Sequence, residues 1–257
     1  MEIFPIQDTP ALLINFEDER ILVVADIHLG LSAELANKGI EIPSQIPDVQ
    51  ERLSEIISDE KIDRLFFLGD LKHNVPVTSW EEWEKIPDFL ANLSKKVKIE
   101  IIPGNHDGDI EGLIPRDVIL HESKGTTIAK GKIGLIHGHA WPDPELFETE
   151  KLIMGHNHPT IEFKDKLGVR AKEPAWIKGS MKPENLPERL KGKIKEKTPE
   201  IIILPAFSKL VGGGAINKEM PEKLLGPFFK ADVIELEEAE VHLLDGTFLG
   251  KIRDLKN

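Results

Sequence analysis

The chain has no cysteine. Neither a disulfide nor a thiolate-held metal can form, so any bound cation must rest on His, Asp, Asn or Glu. Long apolar runs are missing too, and none approaches the ~20 residues that a membrane-spanning helix requires. The opening residues MEIFPIQDTP lack the basic start and apolar stretch of a signal peptide. The expected location is therefore cytoplasmic, with no membrane partner. An excess of positive charge is also lacking. A formal net charge of −12 argues weakly against the broad basic face of a nucleic-acid binder, although divalent cations in a cleft would restore positive charge locally. No repeat, low-complexity tract or linker divides the chain, and a single domain over residues 1–257 is expected.

What is present suffices for a sizeable core: 40% hydrophobic and 30% charged residues, ordinary for a globular protein. Five short polar clusters stand directly after apolar runs. They are Asp26-Ile27-His28 after ILVVA, Gly69-Asp70-Leu71-Lys72-His73 after LFFL, Gly104-Asn105-His106-Asp107 after IEII, His137-Gly138-His139 after IGLI, and Gly155-His156-Asn157-His158 after KLIM. They hold seven of the nine histidines.

The runs read as buried strands. ALLINF and ILVVA, separated by an acidic turn, suggest a hairpin. A helix is expected over residues 44–59, where Val49, Leu53, Ile56 and Ile57 form an apolar stripe. A second is expected from Trp80 to Leu93, kinked near Pro87. The β-α-β-α-β order implies parallel strands with ligands gathered beyond their carboxyl ends. From Val118 onward short β-rich segments (VILHE, TTIAK, KIGLI, KLIM, TIEF, AWIK, IIIL, DVIEL, EVHLL, GTFLG) dominate, with one further helix near 183–195. A second mixed sheet packed on the first accounts for this change.

Hydrolysis of a phosphate ester by two metals needs two cations about 3.5–4 Å apart that share a carboxylate. Each also needs several protein ligands, which one strand end cannot supply. Short side chains after several strands meet that need, and mixed oxygen and imidazole donors suit borderline-hard divalent ions. Taken singly, each cluster has a plainer explanation. Asp-x-His can be a turn with a capping carboxylate, Gly-Asp and Gly-Asn-His-Asp common turn sequences, and Gly-His-Asn-His a surface loop. The ordered set of five after strands favours a metal site.

That ordered set resembles the calcineurin-like metallophosphoesterase superfamily, whose pattern is D-x-H, G-D-x-x-[DH], G-N-H-[DE], H-G and G-H-x-H. The resemblance implies a four-layer αββα sandwich of two mixed sheets flanked by helices. It further implies that Asp26, His28 and His158 bind one metal, Asp70 bridges, and Asn105, His137 and His156 bind the other. His106 is then the transition-state stabiliser or general acid, and Asp107 its orienting partner. His137 rather than His139 is the ligand, because the pattern places it directly before Gly; His139 and His73 are left for substrate contact or an outer shell. Mn²⁺ is the expected ion, with Ni²⁺, Fe²⁺, Co²⁺ or Zn²⁺ as alternatives, and a metal-bridging hydroxide the expected nucleophile.

Asp-Ile-His-Leu-Gly, Gly39-Ile40-Glu41-Ile42-Pro43, Gly155-His156-Asn157-His158-Pro159, and Leu204-Pro205-Ala206-Phe207 followed by Gly212-Gly213-Gly214 resemble an SbcD-related group. It includes archaeal phosphoesterases and a bacterial ligase-associated DNA-damage-response endonuclease. The extra DNA-binding and ATPase-partner regions of full-length SbcD-type nucleases do not fit within 257 residues. The expected activity is a phosphodiesterase or DNA nuclease; a small-molecule phosphomonoesterase and a non-catalytic binding module are the alternatives. Four further features have two readings each. Residues 207–217 form either a phosphate-cradling loop or, preferred, a tight turn, and residues 31–45 form a lid or only a connection. Trp80 and Trp83 stack a base or, preferred, fill the core, while Trp141 is the tryptophan to test for substrate contact. Short C-terminal β segments offer an interface between copies without fixing their number.

Overall fold

The computed structural model describes residues 1–191, 198–218 and 224–256. The first sheet begins with β1 (Glu2–Pro5), β2 (Ala11–Phe16) and β3 (Glu19–Val24). Phe16 pairs with Glu19, so Glu17 and Asp18 alone make the hairpin turn. Glu17 takes φ 54°, the left-handed backbone of two-residue hairpins. The chain then passes through α1 (Leu31–Asn37), α2 (Ile46–Asp59), β4 (Arg64–Leu68), α3 (Trp80–Ser94), β5 (Lys98–Ile102) and β6 (Ile119–Leu120). β3, β4, β5 and β6 run parallel, as the β-α-β-α-β order requires.

The second sheet has the order β14-β13-β11-β12-β9-β8-β7, with β10 beside β11. Its strands are β7 (Thr126–Ile128), β8 (Ile133–Ile136), β9 (Lys151–Met154), β10 (Thr160–Lys164), β11 (Arg170–Gly179), β12 (Glu200–Ile203), β13 (Glu240–Leu243) and β14 (Phe248–Lys251). β8, β9 and β12 are parallel and central; the flanking pairs are antiparallel.

Strand alternation sorts side chains between layers. In β4, Phe66 and Leu68 meet the second sheet while Leu65 and Phe67 face α2 and α3. In β11, Trp176 enters the sheet-to-sheet core, and Ala175 and Ile177 pack outward. The first sheet's outer layer is formed by Val49, Leu53 and Ile57 of α2 with Ile86, Phe89, Leu90 and Leu93 of α3. The fourth layer is built from helical turns: the 3₁₀ turn Pro144–Glu148, α4 (Glu188–Lys191) and α5 (Pro227–Lys230). The chain therefore has the expected fold, two mixed sheets with few helices. No described helix is long and apolar enough to cross a membrane.

Three expectations need correction. Trp80 and Trp83 are not core residues, being 82% and 47% exposed. Their spacing is helical, but the inward face of α3 runs through Glu82, Ile86, Phe89, Leu90 and Leu93. α3 spans Trp80–Ser94 with Pro87 inside it. The expected strand at 232–236 is replaced by a bridge from Ile234 to Met181 and a 3₁₀ turn at Leu236–Glu238. The expected helix at 183–195 is a 3₁₀ turn (Pro183–Asn185) and α4, since Pro187 interrupts it; residues 192–195 lie outside the described residues.

Glu100, 2% exposed on β5, ties three strands. Arg64 Nε donates to it at 2.7 Å and His121 Nε2 lies 2.8 Å away. Burial alone would raise its carboxyl, but the His121 and Arg64 contacts outweigh that and hold it down to about 2. A depressed carboxylate stabilises the fold above its ordinary value near 4.5 and loses that contribution as pH falls through about 2. Glu100→Gln is expected to cost roughly 1.5–3 kcal/mol at pH 7, a difference that shrinks toward pH 2. Urea unfolding across that range checks this; a pH-independent difference contradicts it.

Candidate metal centre

All five clusters follow the carboxyl ends of parallel strands: β3, β4, β5, β8 and β9. The first sheet's hydrogen-bond ladder extends past its strands into them, with Asp26 N–H on Gly69 O at 3.1 Å and His28 N–H on Asp70 O at 2.8 Å. Gly155 N–H donates to His137 O at 3.0 Å in the second sheet. The sheets meet at the site itself. His156 N–H donates to both Asp26 carboxylate oxygens at 3.2 and 3.0 Å, and Phe207 N–H donates to Ala25 O at 2.8 Å.

Two donor groups share one carboxylate. Asp26, His28, Asp70 and His158 form the first, and Asp70, His137 and His156 the second; within each, every chosen donor atom lies within 4.8 Å of the others. Asp70 Oδ2 stands 3.3 Å from His137 Nε2 and 3.7 Å from His28 Nε2. Asp26 Oδ1 is 3.3 Å from His158 Nε2. These residues are nearly all sealed, Asp26 and His137 at 0% and Asp70 at 2% exposed. So many buried acid and imidazole groups facing one another need a compensating cation. Hard carboxylate oxygens beside borderline imidazoles, with one carboxylate common to both groups, fit two divalent ions.

Backbone contacts fix ring tautomers. His137 Nδ1 donates to Leu68 O at 3.0 Å, and His158 Nδ1 to Gly212 O at 3.2 Å, which leaves each Nε2 as the free donor atom. Five of these residues also carry left-handed backbone: Asp26 (φ 56°), His28 (51°), Asp70 (50°), His156 (72°) and His158 (42°). Non-glycine residues there cost about 1–3 kcal/mol each. Two glycines make the convergence sterically feasible. A Cβ on Gly69 (φ 78°) would fall 2.1 Å from His137 Nδ1, and one on Gly104 would fall 2.1 Å from Asp70 Oδ1.

The buried carboxylates and imidazoles shift one another's titration. Burial and the neighbouring histidines lower His28 to about 3, burial and His137 lower His156 to about 4, and burial lowers His139 to about 4. Burial alone would raise Asp70, but His137 and the His106 N–H hold it well below the usual carboxylate range. His137 goes the other way: despite burial, Asp70 and Asp26 raise it to about 9. A protonated His137 cannot ligate a metal. Its proton therefore marks where positive charge is demanded and must be displaced when a cation arrives.

The remaining sequence candidates divide. His106 lies at the rim, with its N–H on Asp70 Oδ1 at 2.8 Å and its Nδ1 2.5 Å from His73 O. Asp107 does not touch the His106 ring. Its carboxylate accepts from Gly104 N–H at 2.8 Å and Lys72 N–H at 3.1 Å, and burial followed by the Asp70 charge pushes it up to about 6. The three-residue span of that turn aims it at the backbone, and the group beside His106 Nδ1 is the His73 carbonyl. Asn105 is exposed, and no described hydrogen bond joins its side chain to the cluster. His73 stands behind His28, their Nδ1 atoms 3.1 Å apart. His139 and Trp141 line a cleft of about 630 Å³, and the Trp141 ring packs on Phe228 at 5.2 Å.

Three supporting residues escaped the sequence reading. Glu34, on α1 within the 31–45 segment, meets His73 Nε2 at 2.5 Å. Gln45 donates to His28 O at 2.8 Å and accepts from Ser208 at 2.9 Å. Glu82 accepts the His73 and Asn74 N–H groups at 2.9 and 2.8 Å. Only Glu82 left a signal, the Ser79-x-x-Glu82 capping box. The loop at 207–217 is ordered against the cluster rather than a detached turn, since Gly212 O holds His158 and Ser208 holds Gln45.

Residues 19–227 match the model of the calcineurin-like phosphoesterase family. The chain belongs to that family. It is a metal-dependent phosphoesterase. Among solved structures it is similar to the nuclease MPE of Pseudomonas putida, at 19% identity and a TM-score of 0.50, covering 95% of this chain and 98% of that one. It is also similar to Yfce, a phosphoesterase from E. coli, at 17% identity and a TM-score of 0.41, covering 92% and 99%. The likeness to the MPE structure extends to the fold alone and leaves substrate open to the site's own chemistry.

Asp70→Asn is expected to reduce bound metal to less than one equivalent, and His156→Ala to at most one, against about two expected for the unaltered protein. Elemental analysis after dialysis, with circular dichroism to verify folding, makes the measurement. Two equivalents retained by Asp70→Asn would contradict the shared-carboxylate arrangement.

Proposed function

We propose that this protein hydrolyses phosphodiesters, with a nucleic-acid strand as substrate, using two divalent ions of the Mn²⁺ type within one domain. The observation that carries this reading is Asp70, a buried carboxylate common to both donor groups, with His106 anchored beside it. The proposed ligands are Asp26, His28 and His158 on one ion, His137 and His156 on the other, and Asp70 on both, with Asn105 able to complete the second from the rim. When bound, the two cations supply an activated water and neutralise charge on the phosphate.

The chain's own residues then do the rest. The leaving oxygen of an ester needs a proton, and His106 can deliver it. With Nδ1 held by the His73 carbonyl, Nε2 is the ring atom left to carry the proton it delivers, in the doubly protonated form of the ring. Asp107 keeps the preceding turn in place through Gly104 and Lys72, and Gln45 and Glu82 fix the loops that carry His28 and His73. A diester rather than a monoester is favoured because two cavities adjoin the cluster. One lies beside His158 and the other beside His139, next to His137 and His156. A diester has a substituent for each, whereas a monoester has one. That the MPE protein of similar length and fold is described as a nuclease agrees with this reading by analogy only.

His106→Ala is expected to keep both metals and slow turnover by roughly 10²–10⁴-fold. Assays with Mn²⁺ on bis-p-nitrophenyl phosphate, p-nitrophenyl phosphate and single-stranded DNA test the substrate class. Turnover of the diester and the DNA is expected. Turnover of p-nitrophenyl phosphate alone overturns the proposal in favour of a phosphomonoesterase, and near-normal rates in His106→Ala remove its assigned role.

A further inference from the structure

A cavity of about 440 Å³ opens between the two sheets against His158. Its accessible apolar lining is the half-buried Pro174, Val211 and Leu244, with the buried Phe207 beneath Arg52. Three cations line the remainder: Arg52 from α2, Lys172 from β11 and Lys209 from the loop after β12. The Arg52 guanidinium is half-buried and lies over the Phe207 ring, 4.6 Å from its centroid. Its one described hydrogen bond goes to the Asp8 backbone carbonyl at 3.5 Å, and it pairs with no carboxylate among the described residues. Desolvation accordingly pulls its pKa down, the mark of a cation short of counter-charge. Lys172 Nζ donates to Gly213 O at 3.2 Å, which places its ammonium at the mouth. Among the described residues, the lining sets one acid, the exposed Asp8, against these three cations. In a chain of net charge −12, such a local excess of unpaired cations beside the donor cluster needs a partner.

We propose that this cavity is a subsite for the nucleotide flanking the scissile phosphate. Its next phosphate is held by Arg52, Lys172 and Lys209, and its sugar or base lies on the apolar surface of Pro174, Val211 and Leu244. The proposal rests on the diesterase reading above and names which part of a strand that reading must accommodate. Both chemistries of a nucleotide are matched: a guanidinium and two ammonium groups for a phosphate, and apolar surface for the sugar or base beside them. His158 belongs to both the cavity and the donor cluster, so a strand whose scissile phosphate lies at the metals reaches this cavity with its neighbouring nucleotide. A short diester such as bis-p-nitrophenyl phosphate has no second phosphate and does not engage the cations. The 440 Å³ volume falls within the range of small-ligand pockets.

The test compares a fluorescent hexathymidylate with bis-p-nitrophenyl phosphate on the Mn²⁺-loaded full chain. In Arg52→Met, which keeps the stem over Phe207, the ratio of kcat/KM for the hexathymidylate to kcat/KM for the short diester is expected to fall roughly tenfold, the effect of removing one charged hydrogen bond to phosphate. Lys172→Ala combined with Lys209→Ala, both exposed positions that leave the core intact, is expected to lower the same ratio and to flatten its salt dependence by about one counterion for each phosphate no longer neutralised. An unchanged ratio in both variants overturns the subsite. So does an unaltered enzyme that cleaves the short diester and not the hexathymidylate, an outcome that leaves the diesterase chemistry standing. Cleavage of p-nitrophenyl phosphate only would instead remove the diesterase reading itself, and the subsite with it.

Discussion

On the two-cation proposal, Asp70 presents one carboxylate to positive charge on two sides while sitting 2% exposed between two sheets. Nearly every unusual feature of the surrounding chain follows from that requirement. The carboxylate accepts the His106 N–H and faces His28 and His137; Gly69 and Gly104 are bare where a Cβ would collide with these groups. The left-handed backbone at five donor residues is a local cost of several kcal/mol in total. The packed strands below over-determine those conformations and so sustain them. Cations binding to the assembled donors favour the folded state by mass action, which gives that strain a compensation no apolar core supplies.

The fold distributes the labour between its layers. The first sheet supplies Asp26, His28, Asp70 and His106; the second supplies His137, His156 and His158. Neither sheet alone assembles a complete donor group for both ions. The Asp26 to His156 hydrogen bonds cross between the sheets at the site, and Trp176, Phe66 and their neighbours hold the sheets together beneath it. Sheet packing is thereby part of the chemistry: a shift of one layer against the other moves the second donor group away from Asp70.

Much of this was readable in the residues. The five clusters were legible because each combines an apolar strand with a short polar turn, two signals that reinforce each other. α2, α3 and most of the strands followed from periodicity. The misreadings have physical causes as well. Trp80 and Trp83 share helical spacing, yet spacing names a face and not which way it turns; only the packing of Ile86, Phe89 and Leu90 settles that. The β-rich segment at 232–236 has strand composition without a neighbour to pair with along its length. Asp107 follows His106 directly, and its carboxylate accepts from the Gly104 and Lys72 N–H groups, contacts that local spacing does not encode. Glu34 and Gln45 were invisible because each acts across a distance in sequence that no local rule encodes. The unpaired Arg52 likewise emerges only when α2 is laid beside Phe207.

The central claim, that two cations share the Asp70 carboxylate, is tested most directly by crystals soaked in MnCl₂ and measured at a wavelength where manganese scatters anomalously. The account predicts two peaks about 3.5–4 Å apart, one on either side of Asp70, the first against Asp26, His28 and His158 and the second against His137 and His156. No peak, or one peak remote from Asp70, would contradict it.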